Sequence, residues 1–146
     1  LRLWGASGAH MTEPLKYAIG DLIYQDLKRD AVCIKSNYPV YRRYADASQQ
    51  MEVCMRAALS GDNLIVESGG TIVEIQELAE YIVDFSGSKK EIRRSKLNIE
   101  KPDCYYSDST DFEGLAERFG VILFGIKDQI SLTTDSVMRA LELGNP

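Results

Sequence analysis

Between Ile75 and Val83 the apolar residues Ile75, Leu78, Ala79, Ile82 and Val83 recur at three- and four-residue intervals, and Gly87 stops the run. That spacing is one face of an α-helix. The stretch VYRRYAD, from Val40 to Asp46, instead reads with a period of two, the mark of an extended strand. A chain that switches repeatedly between these periods must pair its strands into a sheet and lay helices against it. The class is therefore α/β.

The same switching runs along the whole chain. Ile19, Leu22, Ile23 and Leu27 predict a helix over 15–27, and AVCIKS at 31–36 a short strand. A second amphipathic helix is predicted from Ala47 to Ser60, with Met51, Cys54, Met55, Ala58 and Leu59 on its apolar face and Gly61-Asp62-Asn63 at its end. NLIVE, 63–67, reads as a buried strand running into Ser68-Gly69-Gly70, and EIRRS, 91–95, as another short strand. A polar, proline-bearing loop continues to Ser107, long enough for a functional role. Asp108, Ser109 or Thr110 can cap a helix carrying Phe112, Leu115, Ala116 and Phe119, with Gly120 past its end. Ser131 to Thr134 offers an N-cap for a last helix with Val137, Met138 and Leu141, ending at Gly144.

Charge and composition exclude several functions. Lys and Arg total 17 against 22 Asp and Glu, a formal net charge of -5, which argues against a general nucleic-acid or anionic-membrane surface. No apolar run approaches the roughly 18 residues of a spanning helix, and the N-terminus lacks a signal-peptide order, so a soluble cytoplasmic protein is expected. Cys33, Cys54 and Cys104 form no CxxC pair and are expected as reduced, packed thiols; no metal site is expected. The single histidine, His10, rules out multi-histidine chemistry. No strand, GxGxxG-type turn and helix occur together, so no cofactor site is expected; Gly69-Gly70 is the nearest approach.

Leu1, Leu3 and Trp4 followed by Gly5, Ala6, Ser7 and Gly8 read as a strand end entering a tight loop. Two origins fit: the end of a longer strand, or, with GAHM before Met11, a vector remnant ahead of a natural start.

In order and spacing, these segments resemble the C-terminal portion of the extended short-chain dehydrogenase/reductase family, the NAD-dependent nucleotide-sugar epimerases and dehydratases. Arg2, Trp4, Gly8 and His10 stand in the places of the family's R-x-F-x-x-x-G-P-H loop, with Ala9 at the proline. AIGDLIYQDLK, 18–28, resembles its helix, AVCIKS its P-[IV]-x-[IV]-x-G strand, and VYRRYADASQQ its V-x-R-x-Y-[VI]-H-V-x-D-L strand. Arg42 falls on the arginine and Tyr44 on the aromatic, whereas Asp46 takes the histidine position and Gln49 the aspartate. VESGGTIVEIQELAEYI is similar to the N-V-G-S-G turn and helix, KPDCYYSDST to the R-P-G-D loop with Lys101 at the arginine, and SLTTDSVMRAL to the terminal helix.

The resemblance implies a small mixed lobe of short strands and amphipathic helices, the dinucleotide-binding half being absent. Residues 1–12 would be a Rossmann-sheet strand end with its substrate loop, and 13–146 the nucleotide-sugar-binding lobe. It implies the substrate-binding part of an NAD(P)-dependent epimerase or 4,6-dehydratase of surface-polysaccharide sugar synthesis, inactive alone. NAD or NADP and a tyrosine-x-x-x-lysine pair would reside in an N-terminal Rossmann domain. Here Tyr24 and Lys28 share that spacing only as ordinary helix neighbours, so no catalytic residue is expected. A stand-alone nucleotide-sugar or protein-binding module is the alternative, and self-association through the face left uncovered is a further expectation.

Period-two geometry sends Arg42 and Arg43 to opposite faces, so each needs its own partner. The residues alone leave Arg42 between phosphate binding and a pairing with Asp46 or a helix end. The resemblance implies that Arg42 grips the diphosphate, a task suited to a planar guanidinium, with Lys101 as a second cation and Arg43 a surface or interface residue. Val32 and Ile34 would line a slot for the base, Tyr44 would stack or pack, and His10 would sit on the substrate loop. Trp4, Met51 and Met55 are expected in the core.

Overall fold

A computed structural model describes residues 1–61 and 63–144 of the chain. The centre is β3 (Val40–Asp46), the long strand of the VYRRYAD run. It pairs antiparallel with β4 (Thr71–Glu74), parallel through its first residues with β6 (Asp103–Tyr105), and parallel through its last with β1 (Ala6–Ser7). A separate two-stranded parallel sheet joins β2 (Ala31–Ile34) to β5 (Glu91–Arg94). Among the described residues five α-helices complete the lobe: α1 (Ala18–Lys28), α2 (Ala47–Leu59), α3 (Ile75–Ser86), α4 (Thr110–Arg118) and α5 (Ile126–Glu142). The expected mixed α/β lobe is the fold observed. Among the described residues no helix is long and apolar enough to cross a membrane.

The predicted stripes of α1 and α3 form the core. Ile19, Leu22 and Ile23 meet Leu78, Ala79 and Ile82 over Val32, Tyr44 and Val73, and Ile130 and Val137 of α5 close the cluster. A smaller cluster holds Val53, Phe112, Leu115 and Ala116. Burying such side chains contributes roughly 1.5–3 kcal/mol each, which is why stripe position predicts core membership where a helix has a sheet to cover.

Two guanidinium groups tie the sheets and loops. Arg94 donates to both carboxylate oxygens of Glu74, at 3.0 and 3.1 Å, and to the carbonyls of Ser36 and Tyr38, linking β5 to the edge of the larger sheet. Partial burial pushes the Glu74 carboxyl up, but Arg94 and the Val40 and Gln76 amides outweigh it and hold the group below the usual carboxylate range. Arg43, expected at the surface or an interface, is only 7% exposed and is buried within the lobe itself. It donates to the Gly70 carbonyl (2.9 Å), the Ser107 carbonyl (2.9 Å) and Ser109 Oγ (2.6 Å), with a Glu113 carboxylate oxygen at 3.8 Å. The face of β3 opposite Arg42 is thus covered by loops, and backbone carbonyls supply the partners that make burial tolerable.

Other expectations are corrected. NLIVE is not a strand: Leu64 and Ile65 are 53% and 78% exposed, and only Glu67 forms a bridge, with Arg2. Nor does α2 bury its methionine stripe, since Met51 and Met55 are exposed while Gln49, Gln50 and Val53 face inward. Its rotation is set by polar anchors. Asp46 caps the helix by accepting from the Ser48 and Gln49 amides, Gln50 donates to the Ala45 carbonyl, and the Gln49 amide bridges Ile122 and Phe124. Asp62, in the expected helix end, lies outside the described residues. The last helix begins at Ile126 rather than near Ser131. Trp4 is half-buried, with its ring edge-on to Tyr105 at 4.7 Å, and Cys33 and Cys104 are exposed free thiols.

Replacing Arg43 with Met should destabilise the fold by about 2–4 kcal/mol, because three acceptors lose their donor in a buried setting. Arg93→Ala, on an exposed side chain, should stay within about 0.5 kcal/mol of the parent. Urea denaturation followed by circular dichroism measures both.

Candidate functional site

Pairing of β3 with β6 sets Arg42 beside the segment that follows Lys101. Arg42 lies opposite Tyr105 in register, and Lys101 sits exposed two residues before Asp103. Arg42 is anchored at several points. Nη1 donates to the Tyr41 carbonyl (2.8 Å) and the Asp103 carbonyl (3.1 Å), and Nη2 to Asp103 Oδ2 at 2.5 Å. The guanidinium carbon stands 5.7 Å from the centre of the Tyr105 ring. The partner of Arg42 is therefore Asp103 and not Asp46, whose Oδ1 is taken up capping α2.

The remaining predicted residues are dispersed. His10 is exposed and lines a cavity of about 330 Å³ that also has Ser7, Tyr17, Ser48 and Met51 in its wall. Ile34 borders a different cleft of about 210 Å³, together with Asp21, Cys33 and Lys35. Val32 has no exposed surface, so the core has taken it and a ligand cannot reach it. Tyr44 is 5% exposed and packs in the core rather than offering a stacking face; burial pushes its hydroxyl up to about 12, against a smaller lowering by Arg42.

Helix α5 shapes the His10 loop through residues to which the sequence gave no role at that loop, Thr133 being read only as part of an N-cap. Gln129, Thr133 and Ser136, spaced four and three apart, are all buried. Gln129 accepts from Ser7 Oγ (2.7 Å), Thr133 from the Gly8 amide (2.9 Å), and Ser136 both accepts from the Met11 amide and donates to the Gly8 carbonyl (2.9 Å). A polar stripe on a core-facing helix is the signal that would have found them. Gly8 itself has φ +121°, and a Cβ there would lie 2.2 Å from Asp46 Oδ2, so only glycine fits between the loop and the capped end of α2.

The glycine turn at Gly69-Gly70 does not offer a dinucleotide the room it needs. At the nearest glycine turn, a Cβ on Gly69 would meet the Phe112 ring at 2.5 Å and one on Gly70 the Tyr44 carbonyl at 2.1 Å. The space those glycines leave is filled by protein and is not a phosphate cradle. Among the described residues no group of three or more His, Cys, Asp or Glu could hold a metal ion.

No family model and no curated protein matches the chain. Solved structures do. An NAD-dependent NDP-hexosamine 5,6-dehydratase of tunicamycin biosynthesis matches with a TM-score of 0.73 at 14% identity, over 99% of this chain and 46% of that one. UDP-glucuronic acid 4-epimerase from Bacillus cereus, in complex with UDP-glucuronic acid and NAD, matches with a TM-score of 0.72 at 15% identity, over 94% and 44%. UDP-glucose 4-epimerase from Thermotoga maritima, with UDP-glucose, gives 0.73 at 16% identity, over 96% and 45%. The fold is that of part of such proteins, and the chain spans less than half the length of each.

Two outcomes follow. Tyr44, with a folded value of about 12 against an ordinary 10.0, contributes stability that is fully present below pH 10 and is lost as pH rises through about 12. Between pH 9 and 11.5 the parent should therefore lose up to about 2 kcal/mol more than Tyr44→Phe in urea unfolding. Thr133→Val should speed hydrogen exchange at the Gly8 amide about tenfold and leave the α3 amides unchanged.

Proposed function

We propose that the chain is the nucleotide-sugar-binding lobe of an NAD(P)-dependent epimerase or 4,6-dehydratase serving surface-polysaccharide sugar synthesis in the cytoplasm, without turnover of its own. The observation that carries this reading is the fold match over nearly the whole chain, at TM-scores above 0.7, to proteins that include epimerases solved with UDP-sugars. Arg42 contributes the guanidinium fork for the diphosphate, a geometry suited to paired hydrogen bonds with phosphate oxygens. Lys101 adds a mobile point charge from the adjoining turn. Ile34 and the cleft beside it would take the base, and His10 the edge of the sugar.

NAD(P) and the acid/base pair belong, on this reading, to a larger N-terminal domain. The uncovered apolar face supports such a partner: Met51, Met55 and Leu59 of α2, with Ile65 and Ile122, are 44–86% exposed. Residues 1–12 would join that domain's sheet, and 13–146 form the lobe. A face of this kind left bare drives self-association.

Isothermal titration with uridine, thymidine, cytidine and guanosine diphosphate sugars tests the reading. One class should bind, and Arg42→Ala should weaken it at least about tenfold, the loss expected when a charge-assisted contact disappears. Affinity unchanged by Arg42→Ala removes that residue from the site, and failure of the whole panel removes the function.

A further inference from the structure

We propose that Asp103 is a built-in competitor for the anion that Arg42 is placed to bind, so that an incoming phosphate or pyrophosphate must displace its carboxylate. The proposal rests on the reading of Arg42 as a diphosphate ligand and adds a control on that same site. Asp103 Oδ2 sits 2.5 Å from Arg42 Nη2, where a phosphate oxygen would accept. The contact comes from the chain itself, since parallel pairing of β3 with β6 sets Asp103 beside Val40 and delivers its side chain to the guanidinium.

The two partners are held unequally. Arg42 has a side chain 29% exposed, its Nη1 fastened to two backbone carbonyls and Tyr105 beneath its plane. Asp103 has a side chain 43% exposed, and its carboxylate is free to swing into water while its carbonyl keeps its bond to Arg42. Displacement thus leaves the guanidinium where it stands, already oriented. A pyrophosphate brings more negative charge than one carboxylate and accepts at several oxygens, so it outcompetes Asp103 only when presented at sufficient concentration. The internal pair lowers the apparent affinity for weak or singly charged anions and leaves the site selective for the more highly charged ones.

The test is isothermal titration of the full chain with inorganic pyrophosphate and with UDP-glucose, at one fixed ionic strength, for the parent, Asp103→Asn and the double variant Asp103→Asn with Arg42→Ala. Asp103→Asn should bind both ligands about fivefold tighter than the parent, the range that an exposed ion pair can contribute. The double variant should lose the gain. A gain for pyrophosphate without one for UDP-glucose or any other nucleotide sugar of the panel keeps the competitor and refutes the nucleotide-sugar reading. Equal or weaker pyrophosphate binding by Asp103→Asn, or a gain that persists without Arg42, overturns the proposal. Asp103→Gly, which keeps the backbone carbonyl and drops the carboxylate, repeats the comparison, and circular dichroism confirms that each variant is folded.

Discussion

The buried guanidinium of Arg43 is the constraint around which the lobe is organised. A charge of that size is tolerated inside only when most of its donors are met, and here Nη1 and Nη2 find acceptors in two loops remote in sequence, the Gly70 turn and the Ser107–Ser109 segment, while Nε is buried with no partner. Meeting them fixes where β4 begins and where α4 starts. Because β3 alternates its side chains, burying Arg43 also obliges Arg42 to emerge on the other face, toward β6. The two adjacent arginines are thus one buried cation held by loops and one partly exposed cation paired with Asp103, separated by the pleat.

Helix α2 shows how polar side chains can overrule an apolar stripe. Its sequence offers Met51, Met55 and Leu59 as a core face, yet Asp46, Gln49 and Gln50 find backbone partners on the opposite side and set the rotation. Leaving three large apolar side chains in water is unfavourable for an isolated domain.

The candidate site was legible only in part. Resemblance and strand periodicity together pointed to Arg42 and to its separation from Arg43, and the helices and the central strand lie close to where the spacing of apolar residues put them. For Val32 and Tyr44 the sequence left slot and core undecided, because a residue on a strand looks the same whether it lines a slot or fills the core, and both are buried. The polar ladder of Gln129, Thr133 and Ser136 went unnoticed because its partners, the Ser7 hydroxyl and the Gly8 backbone, lie more than 120 residues away.

What the sequence determined by itself was local: the helical and extended periods, the α/β class, and the need of each arginine for a separate partner. Those follow from backbone geometry that repeats every two or 3.6 residues. The tertiary structure alone decided which arginine is buried, that Asp103 rather than Asp46 answers Arg42, and which side of α2 faces inward. Each of these depends on a contact chosen among distant groups, where desolvation and hydrogen-bond satisfaction are weighed over the whole fold.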